Sequence, residues 1–250
     1  MSSYMKSSLD GGVLTLTIDR PEARNALDGG TYRALTEAVA AADGDAAVSA
    51  VIVTGAGGHF TAGNDIRDFQ ILEPVEGDSP GIALLRALAG FGKPLVAAVE
   101  GVAVGIGSTM LLHFDFAWAG EGARFRMPFV PLGIVPEGAS TLLVPRIAGA
   151  KRASDLLLLG REFNAAEALE AGLLTGVTPK GGALARARQA AVQLQALPPE
   201  ALRATKALLR RPDRAAVQET MDLEMAELRR RVPSAEAQAA FAAFFQKKGK

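Results

Sequence analysis

The chain has 250 residues and a mass of 26.0 kDa, with 49% hydrophobic and 22% charged side chains, a balance typical of a folded domain with a sizeable core. The 27 basic and 27 acidic side chains leave no net charge, so no overall field favours nucleic acid or anionic lipid as a partner. Cysteine is absent and the only histidines are His59 and His113, which excludes disulfides, cysteine nucleophiles and metal sites built from several such ligands.

No segment reaches the roughly 20 apolar residues that a membrane-spanning helix needs. The apolar run from Leu95 to Val104 is interrupted by Glu100 and Gly101. The N-terminus shows neither a secretory nor a mitochondrial leader, and the chain does not end in the peroxisomal signal Ser-Lys-Leu. We therefore expect a cytoplasmic protein without membrane contact.

The first half of the sequence alternates predicted strands and predicted helices. Val13–Asp19 has the period-two pattern of a strand, and Thr31 is the expected cap of a helix that runs to about Ala42. The later patterns predict strands at Ala50–Thr54, Leu95–Val99, Phe114–Ala119 and Ala123–Arg126, and helices at Asn64–Phe69, Ile82–Ala89 and about Ser108–His113. This alternation indicates an α/β fold with a parallel or mixed sheet covered by helices.

After about Gly138 the sequence becomes mainly helical. Pro198-Pro199 begins one predicted helix and Pro212 ends it. Apolar stripes on the last two predicted helices indicate core or subunit contacts rather than a cofactor site; their members are Val217, Met221, Met225, Phe241, Phe244 and Phe245. We expect an α/β core over residues 1–195 and a helical section over residues 196–250 that belongs to the same functional unit.

Two glycine-rich turns, Gly55–Asp65 and Gly101–Gly107, follow two of the predicted strands. Glycine allows a ligand to approach the backbone closely, and a turn that opens a helix presents unpaired N–H groups. Two such turns facing each other could hold a carbonyl oxygen between two donors, as an oxyanion hole does. Taken alone, either turn is better interpreted as a tight strand-to-helix connection. A dinucleotide motif is disfavoured because Met110 stands where a third glycine belongs.

Three motifs in this order resemble the enoyl-CoA hydratase/isomerase (crotonase) family. They are the string from Arg20 to Leu27, Phe60–Asp65 and Gly101–Gly107. The resemblance runs from about Val13 to the C-terminus. It implies a spiral of β-β-α turns with a helical trimerisation section, assembled as a homotrimer or a dimer of trimers. It also implies an acyl-CoA thioester as substrate, with no separate cofactor and no metal.

By motif position, the resemblance implies that the backbone N–H groups of Ala62 and Ile106 hold the thioester oxygen. Ile106 replaces a glycine that is usual in the family, and the donor survives if the isoleucine side chain points away. The implied lining of the substrate pocket is Arg24, Asn25, Ala26, Thr61, Ala62, Gly63, Asn64, Asp65 and Phe129.

The two glutamates that hydratases of this family use are missing. Their positions hold Thr109 and Phe129, and neither side chain can exchange a proton with water at neutral pH. A different glutamate stands in Pro136-Glu137-Gly138. This string, together with the Gly-Asn-Asp of the first loop and Leu197–Leu202 with Lys206, resembles the peroxisomal-type Δ3,Δ2-enoyl-CoA isomerase branch. In that branch the matching glutamate is the catalytic base, which implies this function for Glu137.

Glu137 has a second interpretation from its place in the sequence. It could lie in the first turn of a helix that runs to Pro145 and favour the positive end of the helix dipole. The two interpretations predict opposite shifts of its pKa. A helix N-terminus lowers the pKa of a carboxyl group, whereas burial beside Phe129 and Ile134 raises it.

The expected reaction moves the double bond of a 3-enoyl-CoA to the 2-position. Glu137 would remove the proton from C2 and return it at C4, while the N–H groups of Ala62 and Ile106 stabilise the charge on the thioester oxygen. Two alternatives stay open. One is enoyl-CoA hydration or another reaction of the family, and the other is a non-catalytic acyl-CoA-binding protein.

The remaining polar candidates are expected to be structural. His59 is interpreted as a surface or hydrogen-bonding residue, His113 as a structural histidine, and Glu100 as a buried ion-pair partner. Asp65 is expected to cap the short helix that follows it. The C-terminal lysines Lys247, Lys248 and Lys250 are expected to form a solvated tail, with contact to a CoA phosphate as the alternative.

Overall fold

The computed structural model describes residues 4–65 and 77–248, without the side chains of Phe245, Lys247 and Lys248. The described strands form a sheet of six and a sheet of three. The strands are β1 Met5–Asp10, β2 Val13–Ile18, β3 Ala50–Gly55, β4 Leu95–Val99, β5 Val102–Val104, β6 Phe116–Gly120, β7 Arg124–Arg126, β8 Glu162–Asn164 and β9 Gly176–Thr178.

The α-helices cover the sheets and make up most of the C-terminal third. They are α1 Gly29–Gly44, α2 Pro80–Gly90, α3 Ile106–Thr109, α4 Ser140–Ala148, α5 Ala150–Leu157, α6 Ala165–Glu170, α7 Ala183–Gln195, α8 Pro199–Arg210, α9 Arg214–Arg231 and α10 Ala235–Lys248. Short 3₁₀ turns lie at Pro21–Ala23, Met110–His113 and Val130–Leu132.

The larger sheet places both glycine-rich loops at one edge. Its strand order is β1-β2-β3-β4-β6-β9, in which β1 pairs antiparallel with β2 and every later pair is parallel. Parallel neighbours end at the same side of a sheet. The loop after β3 and the loop after β4 therefore leave the sheet side by side, and β5 of the second loop continues into the smaller sheet β5-β7-β8.

The central strands β3 and β4 are buried on both faces, as their continuous apolar runs require. On one face they pack against the main core, which includes residues of α1 and α2. On the other face Ala50, Ile52, Val96 and Ala98 meet three small side chains of α7, at Ala183, Ala187 and Ala191. The alanines allow the helix to lie close to the sheet, so the strands are held between two helical layers.

The C-terminal helices are packed on the core and anchored by charge. Asp115, just before β6, accepts hydrogen bonds from Lys206 at 2.7 Å and from Arg210 at 2.9 Å, both on α8. Burial lowers the pKa of Lys206 to about 8. The apolar stripe of α9 is buried in the main core, as is Phe241 of α10, so the predicted core function is confirmed for these residues. Phe244 is half-buried, and the Phe245 side chain lies outside the described part of the structure.

The structure corrects the start of α1. Its N-cap is Asp28, whose Oδ1 accepts hydrogen bonds from the Thr31 N–H at 2.7 Å and from the Thr31 hydroxyl at 2.8 Å. The prediction that Thr31 is the cap was therefore wrong by three positions. The Thr31 hydroxyl, which suggested a cap, instead donates to the same Asp28 oxygen as the Thr31 backbone N–H.

Other predicted boundaries also differ. The expected helix Ser108–His113 is divided, because α3 begins at Ile106 and the following residues form a 3₁₀ turn. The mainly helical segment after Gly138 also contains β8 and β9, which are three residues each and too short to show a period-two pattern. Strand β1 was not predicted, since five of its six residues are exposed. The predicted helix to Phe69 extends outside the described residues.

Asp28→Ala should lower the free energy of unfolding by about 1 kcal/mol, because the first turn of α1 loses its side-chain acceptor. Asp28→Asn keeps an acceptor oxygen, so it should lower the free energy of unfolding by only a few tenths of a kcal/mol. Urea unfolding followed by circular dichroism measures both. Equal losses for the two variants would show that the cap contributes nothing through its hydrogen bonds.

Candidate active site

The two glycine-rich loops are joined through their backbones. The Thr61 N–H donates to the Val102 carbonyl at 3.0 Å, and the Val104 N–H donates to the Thr61 carbonyl at 3.0 Å. A Cβ at Gly63 would overlap the Val104 carbonyl oxygen, and a Cβ at Gly107 would lie 2.7 Å from Cγ2 of Thr61. Glycine is therefore required at both positions for the loops to approach this closely.

The two expected oxyanion donors differ in their present partners. Ile106 is the first residue of α3, and its N–H has no backbone acceptor within the described part of the chain. Its side chain is 1% exposed and lies against α2, with Cδ1 3.6 Å from the position of a Cβ on Gly81. The Ala62 N–H donates to the Arg24 carbonyl at 2.9 Å. To bind a thioester oxygen, Ala62 has to exchange or share that acceptor.

The turn that supplies this carbonyl has a strained backbone. Arg24 and Asn25 have φ values of 51° and 58°, in the left-handed region that non-glycine residues rarely adopt. The Arg24 side chain is exposed and Ala26 is half-buried. The backbone of this turn thus lies directly beside one expected oxyanion donor.

The Asn25 side chain is buried and holds the first loop from behind. Its Nδ2 donates to the carbonyls of Ala56 at 2.8 Å and His59 at 2.6 Å, and its Oδ1 accepts from the Arg20 N–H at 2.9 Å. All of its polar atoms are thereby engaged. The side chain therefore shapes the first loop, and the expectation that the turn containing Asn25 lines the substrate pocket stays a prediction.

Other polar residues of the first loop also make internal bonds. The Thr61 hydroxyl donates to the Asn25 carbonyl at 2.6 Å and accepts from the Gly63 N–H at 3.0 Å. The Tyr32 hydroxyl of α1 donates to Oδ1 of Asn64. Asp65 forms an ion pair with Arg20 at 2.9 Å, while the helix that Asp65 was expected to cap lies outside the described residues.

Glu137 is buried, with 7% of its surface exposed, and its Oε1 has no hydrogen-bond partner within residues 4–65 and 77–248. Burial raises the pKa of this carboxyl to about 8, and the nearby Glu224 carboxylate adds to the shift. The helix begins at Ser140, after Glu137. The interpretation of Glu137 as a first-turn residue is therefore wrong, and the shift has the direction expected for burial.

The Glu137 turn packs against the helix that begins with Ile106. A Cβ at Gly138 would lie 3.6 Å from Cβ of Thr109, at the end of α3. Nε2 of His113, in the following 3₁₀ turn, lies 2.9 Å from the Gly138 carbonyl oxygen. The candidate base and the Ile106 donor thus lie on two segments in direct contact.

The two positions where hydratases carry glutamate are occupied by buried side chains that do not titrate. Thr109 is fully buried and its hydroxyl donates to the Gly105 carbonyl at 3.4 Å. Phe129 is 5% exposed. Because neither side chain titrates, neither position supplies a second acid or base beside Glu137.

Sequence reasoning missed Glu224 of α9. Its Oε2 accepts from the Ala139 N–H at 2.7 Å, and its Oε1 accepts from the Thr141 N–H at 3.0 Å and hydroxyl at 2.6 Å. A signal was present, because this carboxyl group stands inside a buried apolar stripe, between Met221 and Met225. A charge on such a face needs partners.

The other titratable candidates have structural positions. Burial lowers the pKa of His113 to about 4. The Glu100 carboxylate accepts from the Ala183 N–H at 3.2 Å, at the start of α7, and it forms no ion pair with the cations among the described residues. His59 is half-buried, with its ring against Gly101. The expected lysine tail falls on side chains that are not described.

In the described part of the chain, no group of three or more histidine and acidic side chains is placed to hold a metal ion. Over the same residues, no helix is both long and apolar enough to cross a membrane.

Comparison with known proteins gives a consistent set of relatives. The sequence pattern of the enoyl-CoA hydratase/isomerase family matches residues 8–250. The 1,2-epoxyphenylacetyl-CoA isomerase of Escherichia coli (strain K12) is 32% identical over 99% of this chain and 97% of its own length. Enoyl-CoA delta isomerase 2 of Rattus norvegicus is 33% identical over 96% of this chain. The match covers only 63% of the rat protein.

Solved structures agree with this assignment of relatives. An enoyl-CoA hydratase/isomerase from Pseudoalteromonas atlantica T6c superposes with a TM-score of 0.93 at 41% identity, covering 98% of both chains. OdaA of Pseudomonas aeruginosa gives a TM-score of 0.94 at 39% identity, covering 97% of this chain and 99% of that one. A spiral of β-β-α turns with a helical C-terminal section is thereby confirmed.

Gly63→Ala should separate the two loops, because its φ is +83° and an added Cβ would meet the Val104 carbonyl. We expect a loss of roughly 2–3 kcal/mol in the free energy of unfolding. Gly58→Ala is the matched control, since Gly58 has a φ of +76° and open space around the added Cβ. It should lose about 1 kcal/mol, the cost of the backbone conformation alone. Denaturant unfolding measures both, and equal losses would contradict a close approach at Gly63.

Proposed function

Because the chain belongs to the enoyl-CoA hydratase/isomerase family, we propose that it binds an acyl-CoA thioester and moves the double bond of a 3-enoyl-CoA to the 2-position. The observation that supports this reaction most directly is the buried Glu137 carboxyl, whose Oε1 has no hydrogen-bond partner among the described residues. The positions of both hydratase glutamates are occupied by Thr109 and Phe129, so a single carboxyl group has to move the proton.

The chemistry needs one base that reaches two carbons. The C2 proton of the substrate lies between a thioester carbonyl and an alkene, so its removal gives a dienolate with charge on the thioester oxygen. Glu137 takes the proton from C2, and the electron pair moves through the former alkene toward C4. The protonated carboxyl then returns the same proton at C4, which leaves the double bond between C2 and C3 and regenerates the carboxylate.

The charge on the thioester oxygen requires donors that are already in place. The Ile106 N–H, at the start of α3, is one such donor. The Ala62 N–H is the second, and the thioester oxygen would replace or share its present acceptor, the Arg24 carbonyl. A donor of this kind contributes about 2.7–4 kcal/mol to stabilisation of a transition state.

The raised pKa suits a group that acts as base and then as acid. A pKa of about 8 leaves a minority of Glu137 as carboxylate at neutral pH and makes that carboxylate a stronger base than an exposed glutamate. After accepting the proton, the same group is able to return it. A carboxyl group stabilised by helix N–H groups would have a lower pKa and would be a poorer base for this carbon acid.

The rest of the proposal concerns binding and assembly. The exposed Arg24 side chain is suited to a CoA phosphate, and the backbone of Ala26 and of the Thr61–Asp65 segment would line the CoA path. We propose neither a metal nor a separate cofactor, because the double-bond shift involves no net oxidation. A homotrimer or a dimer of trimers is the proposed assembly, with a cytoplasmic location.

Relatives with different reactions define the main alternative. Both isomerases named above match nearly the whole of this chain. A hydratase is also similar, since the 2,3-dehydroadipyl-CoA hydratase of Escherichia coli (strain K12) is 36% identical over 82% of this chain. Hydration needs an acid and a base on one water molecule. Glu224 is a poor second group because both of its oxygens accept hydrogen bonds from α4 and the residue before it.

Glu137→Gln should lower kcat for conversion of 3-enoyl-CoA by about 10²–10⁴-fold, because the variant keeps the shape of the side chain and loses the base. Binding of a saturated acyl-CoA, measured by calorimetry, should change little. The product is identified by chromatography and mass spectrometry, with a parallel incubation of 2-enoyl-CoA that detects any hydration.

Glu100→Gln is the matched control, since this carboxyl group is half-buried and bonds to the start of α7. It should retain the activity of the unmodified protein. Full activity of a folded Glu137→Gln variant would show that Glu137 is not the base. Formation of 3-hydroxyacyl-CoA without double-bond shift would replace the proposed reaction by hydration.

The pH dependence of kcat/KM follows from the raised pKa of Glu137. Only the carboxylate form can take the C2 proton, so kcat/KM should rise about tenfold per pH unit below pH 7 and level off above the pKa of about 8. Initial rates with 3-enoyl-CoA between pH 5.5 and 9.5 measure the curve. A plateau that begins near pH 5 would mean that the base has the pKa of an exposed glutamate.

A further inference from the structure

A single peptide group next to Glu137 is held from both sides by buried side chains. This group joins Gly138 to Ala139. Its carbonyl oxygen lies 2.9 Å from Nε2 of His113, and its N–H donates to Oε2 of Glu224 at 2.7 Å. The two side chains are 4% and 5% exposed. They come from the 3₁₀ turn after α3 and from α9, so the peptide is fixed between two separate parts of the chain.

This peptide lies in a strained turn. Gly138 and Ala139 have φ values of 72° and 55°, and alanine rarely adopts the left-handed region. Such a conformation persists only when surrounding contacts determine it. The contacts on this peptide therefore hold the turn that carries Glu137, one residue earlier in the chain.

The other oxygen of Glu224 strengthens the same attachment. It accepts from the N–H of Thr141 at 3.0 Å and from its hydroxyl at 2.6 Å. Glu224 therefore joins the left-handed turn to the first turn of α4. Two of the three hydrogen bonds come from backbone N–H groups, those of Ala139 and Thr141, and the third comes from the Thr141 hydroxyl.

We propose that Glu224 and His113 are positioning residues for the Glu137 carboxyl, holding the Gly138–Ala139 peptide in the orientation that aims this carboxyl at the substrate. The inference rests on the proposed function of Glu137. It assigns to α9, in the C-terminal helical section, a direct part in shaping the site. Neither side chain is assigned contact with the substrate.

The charged groups that face this region allow the two contributions to be separated. Burial raises the pKa of Glu137 and the Glu224 carboxylate adds to that rise, while burial also raises the pKa of Glu224 itself. His113 is neutral at pH 7 because burial lowers its pKa to about 4, with Arg210 of α8 acting in the same direction. Substitution of Glu224 thus alters both charge and geometry, whereas substitution of His113 alters geometry alone.

Two pairs of variants test the proposal. Glu224→Met and His113→Phe remove the hydrogen bonds and keep much of the volume. Glu224→Gln keeps an acceptor for the Ala139 N–H, and His113→Gln keeps a donor for the Gly138 carbonyl. We expect the first pair to lower kcat at least about tenfold with less than about threefold change in KM, and the second pair to recover kcat to within about threefold of the unmodified protein.

The pH profile gives a readout that loss of packing alone would not produce. Glu224→Gln should shift the rise of kcat/KM to lower pH by about half a unit or more, because a negative charge near Glu137 is lost. His113→Gln should leave the position of the rise unchanged. Asp222→Asn is the control on the same helix, since it removes an exposed charge that pairs with Arg86, and it should leave both kcat and the profile unchanged.

The outcomes decide between positioning and general packing. Normal kcat and an unchanged profile in folded Glu224→Met and His113→Phe would overturn the proposal, as would equal losses in all four variants. If Glu224→Met does not fold, the His113 pair and Glu224→Gln decide the question.

A measurement without substrate separates this inference from the proposed reaction. Carbon-13 labelling of the glutamate carboxyls allows the Glu137 signal to be titrated by NMR, with assignment from its absence in Glu137→Gln. A fall of the Glu137 pKa toward that of an exposed glutamate in His113→Phe, which removes the hydrogen bond to the Gly138 carbonyl and no charge, supports the inference even if the unmodified protein fails to convert 3-enoyl-CoA, which would refute the proposed reaction alone. An unchanged Glu137 pKa in folded His113→Phe overturns the inference.

Discussion

The desolvated carboxyl group of Glu137 is the constraint around which the candidate site is organised. A buried carboxylate with an oxygen that lacks a hydrogen-bond partner is unfavourable, so the protein keeps this group mainly protonated at neutral pH. The backbone N–H groups of Ala139, just before α4, and of Thr141, in its first turn, bond to Glu224. The two buried carboxyl groups therefore differ in function. Glu224 accepts hydrogen bonds at the start of α4, whereas Glu137 is the proposed base.

The oxyanion side of the site depends on backbone contact rather than on particular side chains. The loops after β3 and β4 are joined by hydrogen bonds of Thr61 with Val102 and Val104, and glycines at 63 and 107 allow this approach. Because the proposed donors are N–H groups, the Ile106 side chain is available to the core, where it packs against α2. An isoleucine at a usual glycine position is therefore compatible with the same electrostatic function.

The helical C-terminal section contributes to the site as well as to packing. Lys206 and Arg210 bind Asp115 at the start of β6, which fixes α8 on the core. Glu224 of α9 then reaches the turn after Glu137. A mutation that loosens these helices would affect the proposed base through Ala139 and Thr141, although neither helix carries a residue that we assign to the chemistry.

The sequence by itself determined the α/β class and the glycine-rich turns, because periodicity and motif spacing are properties of neighbouring residues. Its resemblance to the family implied that Thr109 and Phe129 stand where hydratases carry glutamate, and its resemblance to the isomerase branch implied Glu137 as the base. Only the tertiary structure decided that Asn25 holds a loop, that the Ala62 N–H already has an acceptor, and that Glu224 caps α4. Each of these depends on a contact between residues distant in the chain, and burial and hydrogen bonding exist only once those segments are packed together.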